Sequence, residues 1–337
     1  MPLPAEKIQE LSGVDPRALP DSVLDSTRPL VLRGVAAHWP LVQAGLQGTR
    51  AAADYLLKYY RQATVGAFLG APEIKGRFFY NQDLTGFNYR AVKVKLDTVL
   101  AEILRFEHDP NPGALYVGST TIDTALPGFR AENDFDFGGR DPLASIWIGN
   151  RTRIAAHHDL PDNVACVAVG RRRFTLFPPE QLPNLYIGPL DFTPAGQAIS
   201  LVDFHAPDLA KFPRFEEALR HSFVAELGPG DAIFIPSLWW HHIESLEPLN
   251  VLVNYWWRSA PAWMDTPMNT LFLAMMTVRD LPPEQRAAMK LMFDHYVFEP
   301  RPEDFAHIPP GARRMIGGFD ADRARELRAF LLQRLNR

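Results

Sequence analysis

Residues 154–170 read IAAHHDLPDNVACVAVG. Two short apolar runs are separated by the turn signal Pro161-Asp162, so the stretch reads as two strands. His157 and Asp159 are two residues apart, and residues i and i+2 of a strand share a face. An imidazole and a carboxylate therefore project into one space. Two protein ligands do not make a catalytic metal site, and residues 230–242, GDAIFIPSLWWHH, supply a third.

Working outward, strands are expected at 145–149, 153–158, 163–169, 172–177, 222–226, 232–235, 241–246 and 251–257. Turns are marked by Pro161-Asp162, Gly170, Pro178-Pro179 and Pro229-Gly230-Asp231. Short strands in that number with tight turns argue for an antiparallel barrel or sandwich. Residues 183–220 form a long insertion within it. Before the barrel, 2–27 reads as a partly helical lead-in and Leu30-Val31-Leu32 as a strand. A helix is expected at 51–61, a hairpin across 77–80 and 86–89, a helix at 92–106 and a strand at 115–118. Residues 120–140 form a long connection, either a lid or substrate loop beside a site or a surface loop with solvated charges. After the barrel, helices are expected at 270–277, 283–293 and 320–335. The fold class is mainly β with flanking helices: a barrel over 144–258, an N-terminal α/β segment over 1–143 and a helical segment over 259–337.

The chain has 337 residues, with 35 basic against 39 acidic ones and a net charge of -4. That balance offers nucleic acid no basic footprint. A single cysteine, Cys166, excludes an intrachain disulfide framework and a cysteine-based zinc site; it reads as a small buried residue. The start has no basic stretch leading into an apolar one, and no apolar run approaches the ~18 residues of a membrane span. A soluble, cytoplasmic protein with no membrane partner is expected.

Spacing selects the third ligand. The second cupin motif places a Gly, five residues, Pro, one residue, Gly and two residues before a metal-binding His. Gly230, Pro236 and His241 fall at those spacings, with Leu238 in place of the second Gly. This favours His241 over His242, which would face the other side of its strand. Two histidines and one carboxylate with open positions are the ligand set of non-haem Fe(II) oxygenases. His158 and His242 read as structural residues or substrate contacts. Trp239, Trp240, Trp256 and Trp257 read as barrel packing.

These segments, with RPLVLRG and HWP at 28–40, GRRRFTLFPPEQ from 170, PGDAIFIPSLWWHHIESL at 229–246 and VNYWW at 253–257, resemble the cupin-like branch of the JmjC oxygenases. That branch contains asparaginyl hydroxylases, and the resemblance runs from about residue 28 to 258. It implies a double-stranded β-helix, a jelly-roll-like cupin barrel, and an oxygenase using Fe(II), 2-oxoglutarate and O2 to hydroxylate a protein or peptide side chain. It implies His157, Asp159 and His241 as iron ligands and Tyr116, Asn163, Arg172 and Asn254 around 2-oxoglutarate. Arg172 stands where the family has lysine, and Ile154 where it has a threonine. A guanidinium can bind a carboxylate bidentately, but isoleucine donates no hydrogen bond. Some members dimerise through C-terminal helices, which makes a homodimer the expectation here. Alternatives are an oxygenase of a small molecule, or a silent metal-binding cupin serving as a sensor or interaction module.

Overall fold

The computed structural model describes residues 6–336. In chain order the first seven strands are β1 (Glu6–Lys7), β2 (Gln9–Ser12), β3 (Leu30–Arg33), β4 (Thr64–Gly70), β5 (Arg77–Phe78), β6 (Tyr89–Lys95) and β7 (Ala114–Thr121). Then come β8 (Leu143–Gly149), β9 (Arg153–His157), β10 (Asp162–Val169), β11 (Arg172–Phe177), β12 (Phe223–Leu227), β13 (Ala232–Ile235), β14 (Trp240–Ser245) and β15 (Asn250–Trp257). The last eight occupy the positions expected from alternation and turn residues.

They divide between two sheets. One runs β1-β12-β11-β14-β9-β5, the other β2-β3-β13-β10-β15-β8-β7-β4-β6. From β8 onward the chain passes back and forth between the sheets, which is the winding of a double-stranded β-helix. The pairs among these eight are antiparallel. Side chains of both sheets meet in a core containing Val167, Phe174, Leu176, Ile233 and Ile235. The outer face of the larger sheet is covered in turn. Val164, Cys166 and Ala168 pack there with Trp39, Leu56, Ile103 and Phe129. Burial on both faces explains why β10 reads NVACVAV, a continuous apolar run rather than an alternation.

The N-terminal part departs from expectation in several places. Within 2–27 the described residues form a helix at Asp21–Leu24, as a partly helical lead-in requires, and also the two short strands β1 and β2; residues 2–5 lie outside the described residues. The helix expected over 92–106 spans Leu96–Phe106, and its first residues belong to β6. Val92 and Val94 alternate with Lys93 and Lys95, a period of two that also fits the first turn of a helix. β4 was not foreseen, because Gly66 and Gly70 dilute its pattern. The expected hairpin at 77–89 forms at its tip, where Tyr80 bridges Phe87 and the Asn81 and Asn88 N–H groups donate to the Gly86 and Phe79 carbonyls at 2.9 and 3.0 Å. Its two arms go to different sheets: β5 pairs β9, and β6 pairs β4. Residues 120–140 are neither a lid nor a solvated loop. Phe129, Phe135 and Phe137 are buried, and the two last rings pack on Tyr255. Buried Asn133 accepts the Leu41 N–H at 3.0 Å.

Residues up to Ser259 form one compact unit and residues from Ala260 on another. The second unit holds helices Pro267–Thr277, Pro283–Phe293 and Ala321–Leu335. The Thr266 hydroxyl caps the first and the Asp320 carboxylate the third. Leu271, Phe272, Met276, Leu291 and Phe298 are exposed there. No helix among the described residues is long and apolar enough to cross a membrane.

Candidate metal centre

β9 and β14 run antiparallel, with His157 directly opposite His241. Opposed residues share a face, and the two imidazole rings lie 4.3 Å apart between centroids. β9 ends at His157, so Asp159 sits just beyond the strand. Its backbone carbonyl accepts the Leu238 N–H at 2.9 Å, tying the loop after β9 to the turn before β14. Asp159 Oδ2 lies 3.6 Å from His241 Nε2. One donor atom from each of His157, Asp159 and His241 falls within 4.8 Å of the others.

The tautomers suit ligation. His157 Nδ1 faces the Ala155 carbonyl at 2.9 Å, and His241 Nδ1 faces the Trp239 carbonyl at 3.0 Å. A carbonyl only accepts, so each Nδ1 carries the hydrogen and each Nε2 keeps its lone pair. Burial, with His157 alongside, pulls the His241 pKa down to about 4 and keeps the ring neutral. His242 points elsewhere and lies tilted against Phe204 at 4.5 Å, while His158 stands edge-on to Trp240 at 4.6 Å. Leu238, at the position of the motif's second glycine, has φ +65°, the left-handed conformation that glycine adopts without strain.

A cavity of about 470 Å³ opens at this cluster. Tyr116, Ile154, Asn163, Arg172 and Asn254 line it together with His157, Asp159 and His241. Arg172 is only 1% exposed, and its Nε and Nη2 have no hydrogen-bond partner among the described residues. Burial pulls its pKa down to about 10, leaving the guanidinium charged at neutral pH. A buried charge without a partner costs several kcal/mol, so the chemistry of this side chain calls for a carboxylate. Asn254 donates to Asn163 Oδ1 at 3.3 Å and accepts from Trp147 Nε1 at 2.6 Å. That chain fixes both amides. Tyr116 stacks on Trp147 at 5.9 Å, and burial raises its hydroxyl pKa, so it remains a neutral donor. Ile154 packs against the cluster of Phe78, Ala114 and Tyr116 and offers no polar group.

Trp147 and Trp256 are among the lining residues that sequence reasoning missed. Trp147 lies on the cavity face of β8, and only the alternation of Ser145, Trp147 and Gly149 with Ile146 and Ile148 could have signalled it. Trp256, read as barrel packing, lines the cavity with Nε1 unpartnered. Two neutral imidazole nitrogens and a carboxylate suit Fe(II), with positions left for other ligands. The solitary Arg172 suits one end of a dicarboxylate. The residues present fit both groups.

The sequence profile described as a cupin-like domain matches residues 16–262. HSPB1-associated protein 1 of Rattus norvegicus is 38% identical over 130 residues, 37% of this chain and 26% of that protein. Lysine-specific demethylase JMJ31 of Arabidopsis thaliana is 38% identical over 120 residues, 35% of this chain and 21% of that protein. Lysine-specific demethylase 8 of Xenopus tropicalis is 28% identical over 243 residues, 70% of this chain and 49% of that protein. The matched segments thus span between a fifth and a half of these relatives' lengths.

Proposed function

The chain belongs to the cupin-like family that includes the JmjC-type proteins, and on that premise we propose that it is an Fe(II)- and 2-oxoglutarate-dependent oxygenase that hydroxylates a protein or peptide side chain. The observation that carries the reading is the meeting, in one cavity, of two Nε2 lone pairs and a carboxylate with a buried guanidinium whose Nε and Nη2 have no hydrogen-bond partner among the described residues. His157, Asp159 and His241 would hold the iron. Iron at this triad would supply O2 activation coupled to decarboxylation of 2-oxoglutarate, giving succinate, CO2 and one oxygen atom for a substrate C–H bond.

The chain's own residues have separable tasks. The Ala155 and Trp239 carbonyls hold the two imidazoles in the ligating tautomer. Arg172 would bind the far carboxylate of 2-oxoglutarate, with the Tyr116 hydroxyl and the Asn163–Asn254 pair beside it. Phe78, Tyr116, Trp147 and Ile154 supply an apolar wall that excludes water. With Ile154 unable to donate, Arg172 carries more of the anchoring than a lysine flanked by threonine would. The exposed apolar residues of the second unit support a homodimer, since obligate interfaces are large and apolar.

The test is calorimetric titration of 2-oxoglutarate into Mn(II)-loaded protein without oxygen. A charge-assisted hydrogen bond is worth ~1.5–3 kcal/mol. Arg172→Ala should therefore weaken 2-oxoglutarate by roughly ten- to more than a hundredfold, with Mn(II) uptake unchanged and Arg172→Lys intermediate. Parent-like binding by Arg172→Ala would move the anchor to another residue. No binding by the parent at millimolar 2-oxoglutarate would favour the silent metal-binding module, the reading that Ile154 supports.

A further inference from the structure

The cavity continues past the metal centre along the larger sheet, where β7, β4 and β6 form its floor. Phe68 pairs with Tyr116 on one side and Ala91 on the other, and Ala67 with Val117. Carried on by one residue, this register sets Gly66 beside Gly118, and Gly66 in turn pairs with Lys93. Cross-strand partners share a face. Since Phe68, Gly66, Gly118 and Ser119 line the cavity, Lys93 stands on that same side, as does Lys95 opposite Thr64. The other face of these strands is occupied by Val65, Ala67, Val92 and Val94 in the core.

A Cβ on Gly66 would meet nothing within 4 Å, and one on Gly118 only the Phe68 ring at 3.9 Å. Neither glycine relieves a contact within the chain. Glycine inside a strand weakens it and often marks the close approach of another backbone or a ligand. Among the described residues β6 pairs only with β4, so its outer edge offers backbone N–H and C=O groups without a strand partner there. Lys93 and Lys95 are exposed, and among the described residues neither takes part in an ion pair. Edge lysines also guard a sheet against aggregation, and alone they would define no site. The side-chain-free floor that joins them to the cavity sets them apart.

We propose that this shelf is the docking groove for an acidic, extended polypeptide segment, its backbone crossing Gly118 and Gly66 and a side-chain carboxylate resting on Lys93 or Lys95. The proposal rests on the oxygenase reading above and names its substrate class. The floor admits a polypeptide backbone at close range. Two lysines in a chain of net charge -4 make a poor track for a phosphate backbone.

Fluorescence anisotropy on the Mn(II)-loaded full chain tests this. The probes are labelled dodecapeptide pools, random at the centre, carrying Glu-Glu or Gln-Gln toward one end, and a labelled oligouridylate. The Glu-Glu pool should bind the parent about three- to tenfold more tightly than the Gln-Gln pool, the scale of two exposed ion pairs. Lys93→Glu/Lys95→Glu should erase that preference, and Gly66→Val should weaken both pools alike. Equal binding of the pools by the parent, or a preference that survives charge reversal, overturns the groove. Oligouridylate binding more tightly than either pool and lost on reversal overturns it in favour of nucleic acid. Mn(II) calorimetry separates the two levels. A parent that binds Mn(II) but shows no acidic preference sinks the groove alone; a parent that binds no Mn(II) sinks the oxygenase reading and the groove with it.

Discussion

His241 and His242 differ by one position and stand on opposite sides of a strand, which makes them a sharp test of register. His157→Ala and His241→Ala should each abolish stoichiometric Fe(II) binding, while His242→Ala should retain it. Anaerobic equilibrium dialysis reads the outcome directly, and iron lost from the His242 variant alone would reverse the assignment. Leu238 supplies a second test. Its side chain is 42% exposed and its backbone is left-handed, a conformation that costs an L-residue roughly 1–2 kcal/mol. Leu238→Gly removes that strain at the cost of a more flexible unfolded chain. A net gain of up to about 1 kcal/mol in urea unfolding is expected, with unaltered metal binding. A loss of stability would mean that packing of the Leu238 side chain outweighs its backbone strain.

The turn that carries the motif's first glycine is tied to the N-terminal part of the chain by Asp231. Its carboxylate accepts from Arg33 at 2.7 Å, from the Gly34 N–H at 2.9 Å and from the Gly228 N–H at 3.1 Å. Gly230 itself is left-handed, and a Cβ there would lie 2.9 Å from the Ala37 backbone, so β3, β13 and their turns form one joint. Asp231→Ala strands three donors, and a loss of about 2–4 kcal/mol in chemical unfolding is expected. A loss under 1 kcal/mol would show that water replaces the carboxylate. Much of this part of the fold was legible: the eight barrel strands announce themselves by short apolar or alternating runs between Pro and Gly turns, and the spacing of the candidate ligands is local to two of them. What stayed hidden came from competition between patterns. Val92, Leu96 and Val99 fit a helix, while Val92 and Val94 fit a strand, and pairing with β4 decided for the strand. The rest of the aromatic wall beside Tyr116 was equally opaque. Phe68, Phe78 and Trp147 come from separate segments that only the sheet order brings together.

At the scale of the whole molecule, the second unit leaves Leu271, Phe272, Met276 and Leu291 in solvent, and none of the residues of its first helix is buried. A stable monomer seldom leaves so much apolar surface on adjoining helices. Light scattering should give a dimer at micromolar concentration, and Leu271→Glu/Phe272→Glu should give a monomer. A monomeric parent would remove the homodimer from the account.

The shuttling of the chain between two sheets also governs when the protein comes into being. β10 is held by β13 on one side and β15 on the other, and Asn163 reaches Asn254 across 91 residues of sequence. Neither sheet can be completed from a contiguous stretch of chain, so the entropy of closing long loops falls due before most native pairings can form. During synthesis β10 waits, apolar on both faces, until the last strands have left the ribosome. On the proposed metal centre, ion uptake would require β9 beside β14 and would report a late event: a newly made chain would gain affinity for metal only once the barrel has closed.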